Sequence, residues 1–241
     1  MKTFSMTDIG KSREMNQDCV FCSDVPVGPL PNLFMVADGM GGHNAGDFAS
    51  DFAIRRMVEL VKESEETDPE EIIRTCLART NYELFVKAET EIALRGMGTT
   101  MVAATVTDRQ LCVANVGDSR LYIINRKLRQ VTNDHSYVQE MVVKGQLKAS
   151  EARLHPQKNI ITRAIGALAG VEIDCFHETL KDGDEILMCT DGLTNMVDDG
   201  EIANIIRMQR DIVEKVERLV QAANDRGGKD NISVIMIDPF A

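Results

Sequence analysis

Three apolar runs in this chain each stop on an aspartate: Phe34-Met-Val-Ala-Asp38, Leu111-Cys-Val-Ala-Asn-Val-Gly-Asp118 and Ile186-Leu-Met-Cys-Thr-Asp191. Runs of this length and character read as buried strands. A carboxylate at the end of such a strand is costly to bury unless positive charge meets it. A fourth acid, Asp230, immediately precedes another apolar run, Ile232 to Ile237. A fold that brings these ends to one edge would gather hard oxygen donors of the kind that bind divalent metal.

The remaining pattern says what such a fold contains. Thr7 to Ser23 reads as extended chain with a turn near Gly10, and Pro26 to Pro31 as a loop. Phe48, Phe52, Met57 and Leu60 recur at helical spacing, and their apolar face is expected on the sheet that carries Asp38. Asp68-Pro69-Glu70-Glu71 is a helix start, continued by Ile73, Leu77, Leu84, Ala88 and Ile92. Strands at Met101–Thr107, Leu111–Val116 and Leu121–Asn125 read as a meander of hairpins. Segment 136–170 shows neither a clean helix nor a clean strand period and is expected as a surface insertion. A strand at Glu185–Thr190, helices at Glu201–Met208 and Ile212–Ala223, and a closing strand complete the chain. Without regular strand-helix alternation, this points to α+β, with two antiparallel sheets face to face and helices outside, a four-layer α-β-β-α sandwich. Residues 1–241 are expected to form one domain.

Composition narrows the partners. A net charge of −11 opposes phosphate backbones and anionic bilayers, so neither nucleic acid nor membrane is an expected partner. No stretch approaches the roughly twenty apolar residues of a spanning helix, and the polar opening Met1-Lys-Thr-Phe-Ser lacks a signal-peptide core. A cytoplasmic monomer is expected. Cys76, Cys112 and Cys189 fall within helical or apolar stretches, which suits reduced thiols. Cys19 and Cys22 match CxxC, but odd spacing on a strand sends the two thiols to opposite faces. Met35, Met101, Met188 and Met236 lie in apolar runs and read as core. The acidic run Glu63 to Asp68 reads as a solvated connection.

Glycine after Asp38 and after Asp191 lets the backbone turn sharply and approach a ligand. An isolated Asp-Gly pair is more often a plain turn. Three aspartates at the ends of apolar runs, with Asp230 behind them, favour metal. Two cations about 3.5 to 4 Å apart can activate a shared water and clamp a phosphoryl group. Arg13 could offer such a group a planar fork.

These residues resemble the type 2C, metal-dependent Ser/Thr protein phosphatases of the PPM family, with a bacterial character. The resemblance runs in order through Arg13 to Asp18, Asp38-Gly39-Met40-Gly41-Gly42-His43, Gly98-Thr99-Thr100, Gly117-Asp118-Ser119-Arg120, Thr190-Asp191-Gly192 and Asp230-Asn231. Segment 136–170, with Lys144-Gly145-Gln146, His155-Pro156 and Thr162 to Gly166, resembles the family's flap beside the active site. The resemblance implies that Asp38 bridges two Mn²⁺ or Mg²⁺ ions, with the Gly39 carbonyl on one and Asp191 and Asp230 on the other. It implies that Asp118 binds a third ion, shared with Asp191, that Asp18 orients metal-bound water and that Arg13 clamps phosphate. The implied reaction is hydrolysis of phosphoserine or phosphothreonine in proteins by direct attack of the bridging water, reversing a Ser/Thr kinase. Many eukaryotic relatives place histidine where this chain has Met40, and a thioether donates no proton. His43, His135 and His155 are read as structural or flap residues.

Three rival readings fit the residues less well. A cysteine-nucleophile phosphatase needs arginine six positions after the thiol, and no cysteine here has it. A catalytically inactive phosphoprotein-binding member of the same fold would be expected to have lost metal acids, and none is lost. A two-metal nuclease would suit a basic stripe, which is missing.

Overall fold

The apolar runs are continuous, not alternating, because each strand is buried on both faces. The computed structural model describes residues 1–41, 45–209 and 211–241, with backbone alone at 149 and 150. His43 lies outside the described residues. Strands β1 (Lys2–Asp8), β2 (Asp18–Ser23) and β3 (Leu33–Met40) lead to helices α1 (Ala45–Glu63) and α2 (Pro69–Thr90). Then come β4 (Gly98–Thr99), β5 (Met101–Thr107), β6 (Gln110–Val116), β7 (Arg120–Ile124) and β8 (Leu128–Gln130). Short helices α3 (Tyr137–Val143) and α4 (Ala149–Ala152) precede β9 (Asp174–Thr179) and β10 (Glu185–Cys189). The chain closes with α5 (Asp191–Thr194), α6 (Asp199–Met208), α7 (Ile212–Asp225) and β11 (Ile232–Asp238).

Two antiparallel sheets result. One runs β1-β11-β10-β7-β8 and the other β2-β3-β5-β6-β9, with β4 added to the end of β3. Residues of β3 show the layering: Phe34 and Val36 pack between the sheets with Val102, Val113, Met188 and Ile235. Leu33, Met35 and Ala37 point the other way, onto Ala49, Met57 and Leu77 of α1 and α2. On the far side, Val234 and Met236 of β11 meet Ile202, Val216 and Leu219 of α6 and α7. This is the expected four-layer sandwich. Full burial of each such aliphatic side chain stabilises the fold by about 1.5–3 kcal/mol before conformational entropy is charged against it.

Local signals hold where chemistry fixes them. Asp68 caps α2 by accepting from the Glu71 N–H, with Pro69 at the first position. The helix nevertheless stops at Thr90, and Ile92 lies 86% exposed in a 3₁₀ turn, outside the buried stripe expected to include it. The methionines named above are buried core, Cys19 and Cys22 do face opposite layers, and all six cysteines are free.

The expected meander of hairpins needs correction. The meander ends at β6, because β7 joins the opposite sheet against β10. Gly117, at φ 109° and pressed on Thr100, makes the sharp crossing between sheets. Segment 136–170 contains α3 and α4, helices too short for their period to register in the sequence. Ser136 caps α3 through the Gln139 N–H. Strand β9 is a half-exposed edge strand whose two apolar residues, Cys175 and Phe176, are adjacent, so it shows no alternation in the sequence.

Candidate metal centre

Strand direction explains why distant acids meet. Asp18 opens β2 and Asp38 lies near the end of β3, and the antiparallel register pairs them directly. Strand β6 is antiparallel to β5, itself antiparallel to β3, so β6 delivers Gly117-Asp118 to the same end. In the other sheet Cys189 pairs with both Arg120 and Val234, so the exit of β10 at Asp191 and the entry of β11 after Asp230 share that edge. Asp38 is consequently surrounded by the charges of Asp18, Asp191, Asp118 and Asp230.

Backbone and hydroxyl contacts fix this cluster across the sheets. The Thr190 hydroxyl donates to Asp18 Oδ2 at 2.8 Å and accepts from the Ser233 N–H at 3.0 Å. The Asp38 N–H donates to Thr100 Oγ1 at 2.9 Å, and Thr100 in turn shares a 2.8 Å hydrogen bond with Ser119. Asn195, one helical turn beyond Asp191, donates from Nδ2 to Asp191 Oδ2 at 2.7 Å. Asn231 accepts from the Gln17 N–H and donates to the carbonyls of Ile9 and Met15, pinning the loop that carries Arg13. Gly39 has no room for a side chain, since a Cβ there would fall 1.9 Å from the Gly46 carbonyl oxygen.

Electrostatically the cluster is frustrated. Burial pushes the Asp18 carboxyl up to about 7, with the charges of Asp191 and Asp230 adding to it. Burial likewise lifts Asp191 to about 6, helped by Asp230, and raises Asp38 and Asp118 well above the usual carboxylate range. Asp18 Oδ1 and Asp191 Oδ1 are buried without a hydrogen-bond partner. Unpaired carboxylate oxygens amid like charges are what a divalent cation satisfies, and an all-oxygen set suits Mn²⁺ or Mg²⁺. Among the described residues no group of three or more His, Cys, Asp and Glu side chains is already arranged as a metal site.

The sequence-derived residues therefore come together: Asp18, Asp38, Gly39, Asp118, Asp191 and Asp230 occupy one edge. Arg13 joins them by way of a 2.8 Å ion pair to Asp230 Oδ2. His135 is structural: its Nδ1 accepts from the Gly117 N–H, and its Nε2 lies 3.2 Å from Asp174. Thr100, Ser119 and Thr190 lie in motifs named from the sequence but had no role assigned there, and Asn195, four residues beyond Asp191, was not singled out at all. Lys158 and Arg153, which reach Asn195 from segment 136–170, carried no sequence signal at all. A cleft of about 370 Å³ opens beside Asp118 and Asp191, walled by Ser136, Gln139, Arg153 and Lys158.

The chain is similar to known proteins in sequence and in fold. Residues 10–235 match the family described as Protein phosphatase 2C. The serine/threonine phosphatase Stp of Listeria monocytogenes is 41% identical over 242 residues, covering 96% of this chain and 93% of that one. The crystal structure of serine/threonine phosphatase Stp1 from Staphylococcus aureus superposes with a TM-score of 0.91 at 35% identity, covering 98% of this chain and 95% of that one. The catalytic domain of the phosphatase PstP, solved in complex with two manganese ions, superposes with a TM-score of 0.85 at 30% identity, covering 98% and 96%.

Proposed function

The chain belongs to the protein phosphatase 2C family, and we propose that its strand-end acids hold the metal ions on which its activity depends. It is a metal-dependent protein-serine/threonine phosphatase, a phosphoric monoester hydrolase acting on phosphorylated proteins. Asp38, shared between two ions, would hold one with the Gly39 carbonyl and the other with Asp191 and Asp230. Asp118 would hold a third with Asp191. Bound there, Mn²⁺ or Mg²⁺ would acidify water and withdraw charge from phosphoryl oxygens.

The chain's own groups do the rest. Asp18, anchored by Thr190 through Oδ2, keeps Oδ1 free to accept a hydrogen bond from the attacking water. Arg13 sits at the rim on Asp230, where its outer N–H groups can orient a phosphate. The reaction is one displacement at phosphorus, with water entering and the seryl or threonyl oxygen leaving. No thiol competes as nucleophile, since all six cysteines have their proton affinity raised, burial first among the causes. Met40 cannot protonate the leaving alkoxide, so that proton comes from solvent or from a neighbouring acid of the cluster.

The buried, unpartnered oxygens of Asp18 and Asp191 carry this reading. Phosphate release from a phosphothreonine peptide tests it: turnover is expected with manganese, and none with a chelator or in Asp191→Ala. Equal rates in all three would end it. The wider reading is of a cytoplasmic monomer, one catalytic unit over residues 1–241 with a flap at about 136–170, that reverses a Ser/Thr kinase and engages neither nucleic acid nor membrane. Its net charge of −11 supports the last point, and among the described residues no helix is long and apolar enough to cross a bilayer.

A further inference from the structure

Segment 136–170 reaches the side chain of Asn195, the neighbour of Asp191, through Lys158. Lys158 is half-buried on the wall of the cleft, and its Nζ donates to Asn195 Oδ1 at 2.8 Å. Asn195 Nδ2 donates onward to Asp191 Oδ2 at 2.7 Å. The Asn195 backbone carbonyl also receives Arg153 Nη2 at 3.5 Å, at the outer limit of a hydrogen bond. An amide can present either its oxygen or its nitrogen in a given direction, and the two choices are nearly equal in shape. Lysine removes the ambiguity because an ammonium only donates. With Lys158 on Oδ1, the amide must turn its N–H₂ toward Asp191, occupy Oδ2 and leave the unpartnered Oδ1 of Asp191 turned to the acid cluster.

We propose that Lys158 is a positioning residue that acts through Asn195 to hold Asp191 in its cation-binding orientation, so that docking of segment 136–170 sets the affinity of the metal centre. The proposal rests on the reading of Asp191 as a metal ligand. Coupling of this kind is reciprocal: cation binding at Asp191 must favour the docked segment by the same factor. Outer partners of metal ligands influence affinity in this way because they fix the orientation and basicity of the ligand.

Electrostatics alone predicts the opposite sign. Lys158 is a cation beside a site for cations, and Asp191 feels its charge. Removing that charge without any positioning effect would tighten metal binding. The sign of the change therefore separates the two accounts.

The test measures the manganese dissociation constant of the full chain by the electron paramagnetic resonance of free Mn²⁺, alongside hydrogen exchange of residues 137–160. Lys158→Met keeps the length of the side chain and loses the donor. It is expected to weaken Mn²⁺ binding by about 5-fold or more, and Asn195→Ala by roughly 10- to 100-fold. In the Asn195→Ala background, Lys158→Met should weaken binding no further, leaving only the tightening expected from the lost charge. Lys144→Met, which removes an exposed charge paired with Glu140 in the same segment, serves as the control and should leave the constant unchanged. Manganese should slow exchange across 137–160 in the wild type and lose that effect in Lys158→Met. Tighter or unchanged binding in Lys158→Met, or additive losses in the double variant, would overturn the proposal. Should the wild type itself bind no Mn²⁺, the underlying assignment of Asp191 fails instead, a result distinct from any ratio between variants.

Discussion

Stripping the metal and raising the pH should destabilise this protein, against the usual behaviour of carboxylates. Asp18 is lifted from the ordinary 3.8 to about 7, chiefly by burial, and Asp191 from 3.8 to about 6. Between those limits the folded chain binds more protons than the unfolded one, so stability is full below about pH 4 and is lost as pH rises through 6 to 7. A gap of about three pH units for Asp18 corresponds to ~4 kcal/mol, and about two for Asp191 to ~3 kcal/mol. The two acids repel each other, so their contributions overlap, and a combined loss of roughly 3 kcal/mol between pH 5 and pH 8 is expected. With a urea slope of about 3 kcal/mol/M, the unfolding midpoint should fall by ~1 M in the presence of a chelator. Groups of opposite sign do not mask this. Glu83, held down by Arg56, and Asp174, where His135 and Arg163 outweigh burial, contribute only at lower pH. With millimolar Mn²⁺ the trend should reverse, because protons compete less with the metal as pH rises. The assay is urea unfolding by circular dichroism at pH 5, 6, 7 and 8, with chelator and with manganese. A midpoint that stays level or climbs with pH in chelator would refute the picture of an uncompensated acid cluster.

Other outcomes follow from single contacts. Thr190→Val keeps the side-chain shape but strands the Ser233 N–H and removes a donor from Asp18, so stability should drop by about 1–3 kcal/mol in thermal melts. An unaltered melt would mean that water replaces the hydroxyl. Gly39→Ala forces a Cβ to within 1.9 Å of the Gly46 carbonyl oxygen and should cost about 1–3 kcal/mol or prevent folding. Wild-type melting there would show that α1 does not press on β3 as described. Asp118→Ala should keep the fold and the two central ions while turning over more slowly. The same rate at saturating manganese would count against a third ion at Asp118.

What could be read from the chain alone was whatever depends on neighbours in sequence. Apolar runs ending at Asp38, Asp118 and Asp191 fixed strand ends, Asp68-Pro69 fixed the start of α2, and the order of the acidic motifs indicated metal-dependent phosphoester chemistry. These rest on local sterics, capping and burial, whose ranges span a few residues. Strand β9 and helices α3 and α4 were less legible, because the two apolar residues of β9 are adjacent and show no alternation, and a helix of one or two turns shows no period.

Tertiary structure decided the rest. Only the placement of β7 in the second sheet brings Asp118 to Asp191, since a continued meander would have carried the chain away from β10. Only the packing of the two sheets lets Thr190 of one hold Asp18 of the other across 172 residues of sequence. Lys158 reaches Asn195 across another 37. Such contacts depend on how layers stack in space, so their partners leave no periodicity or spacing in the chain. The acids were written in the sequence, and the field they create together, which favours bound positive charge, exists only once the sheets close.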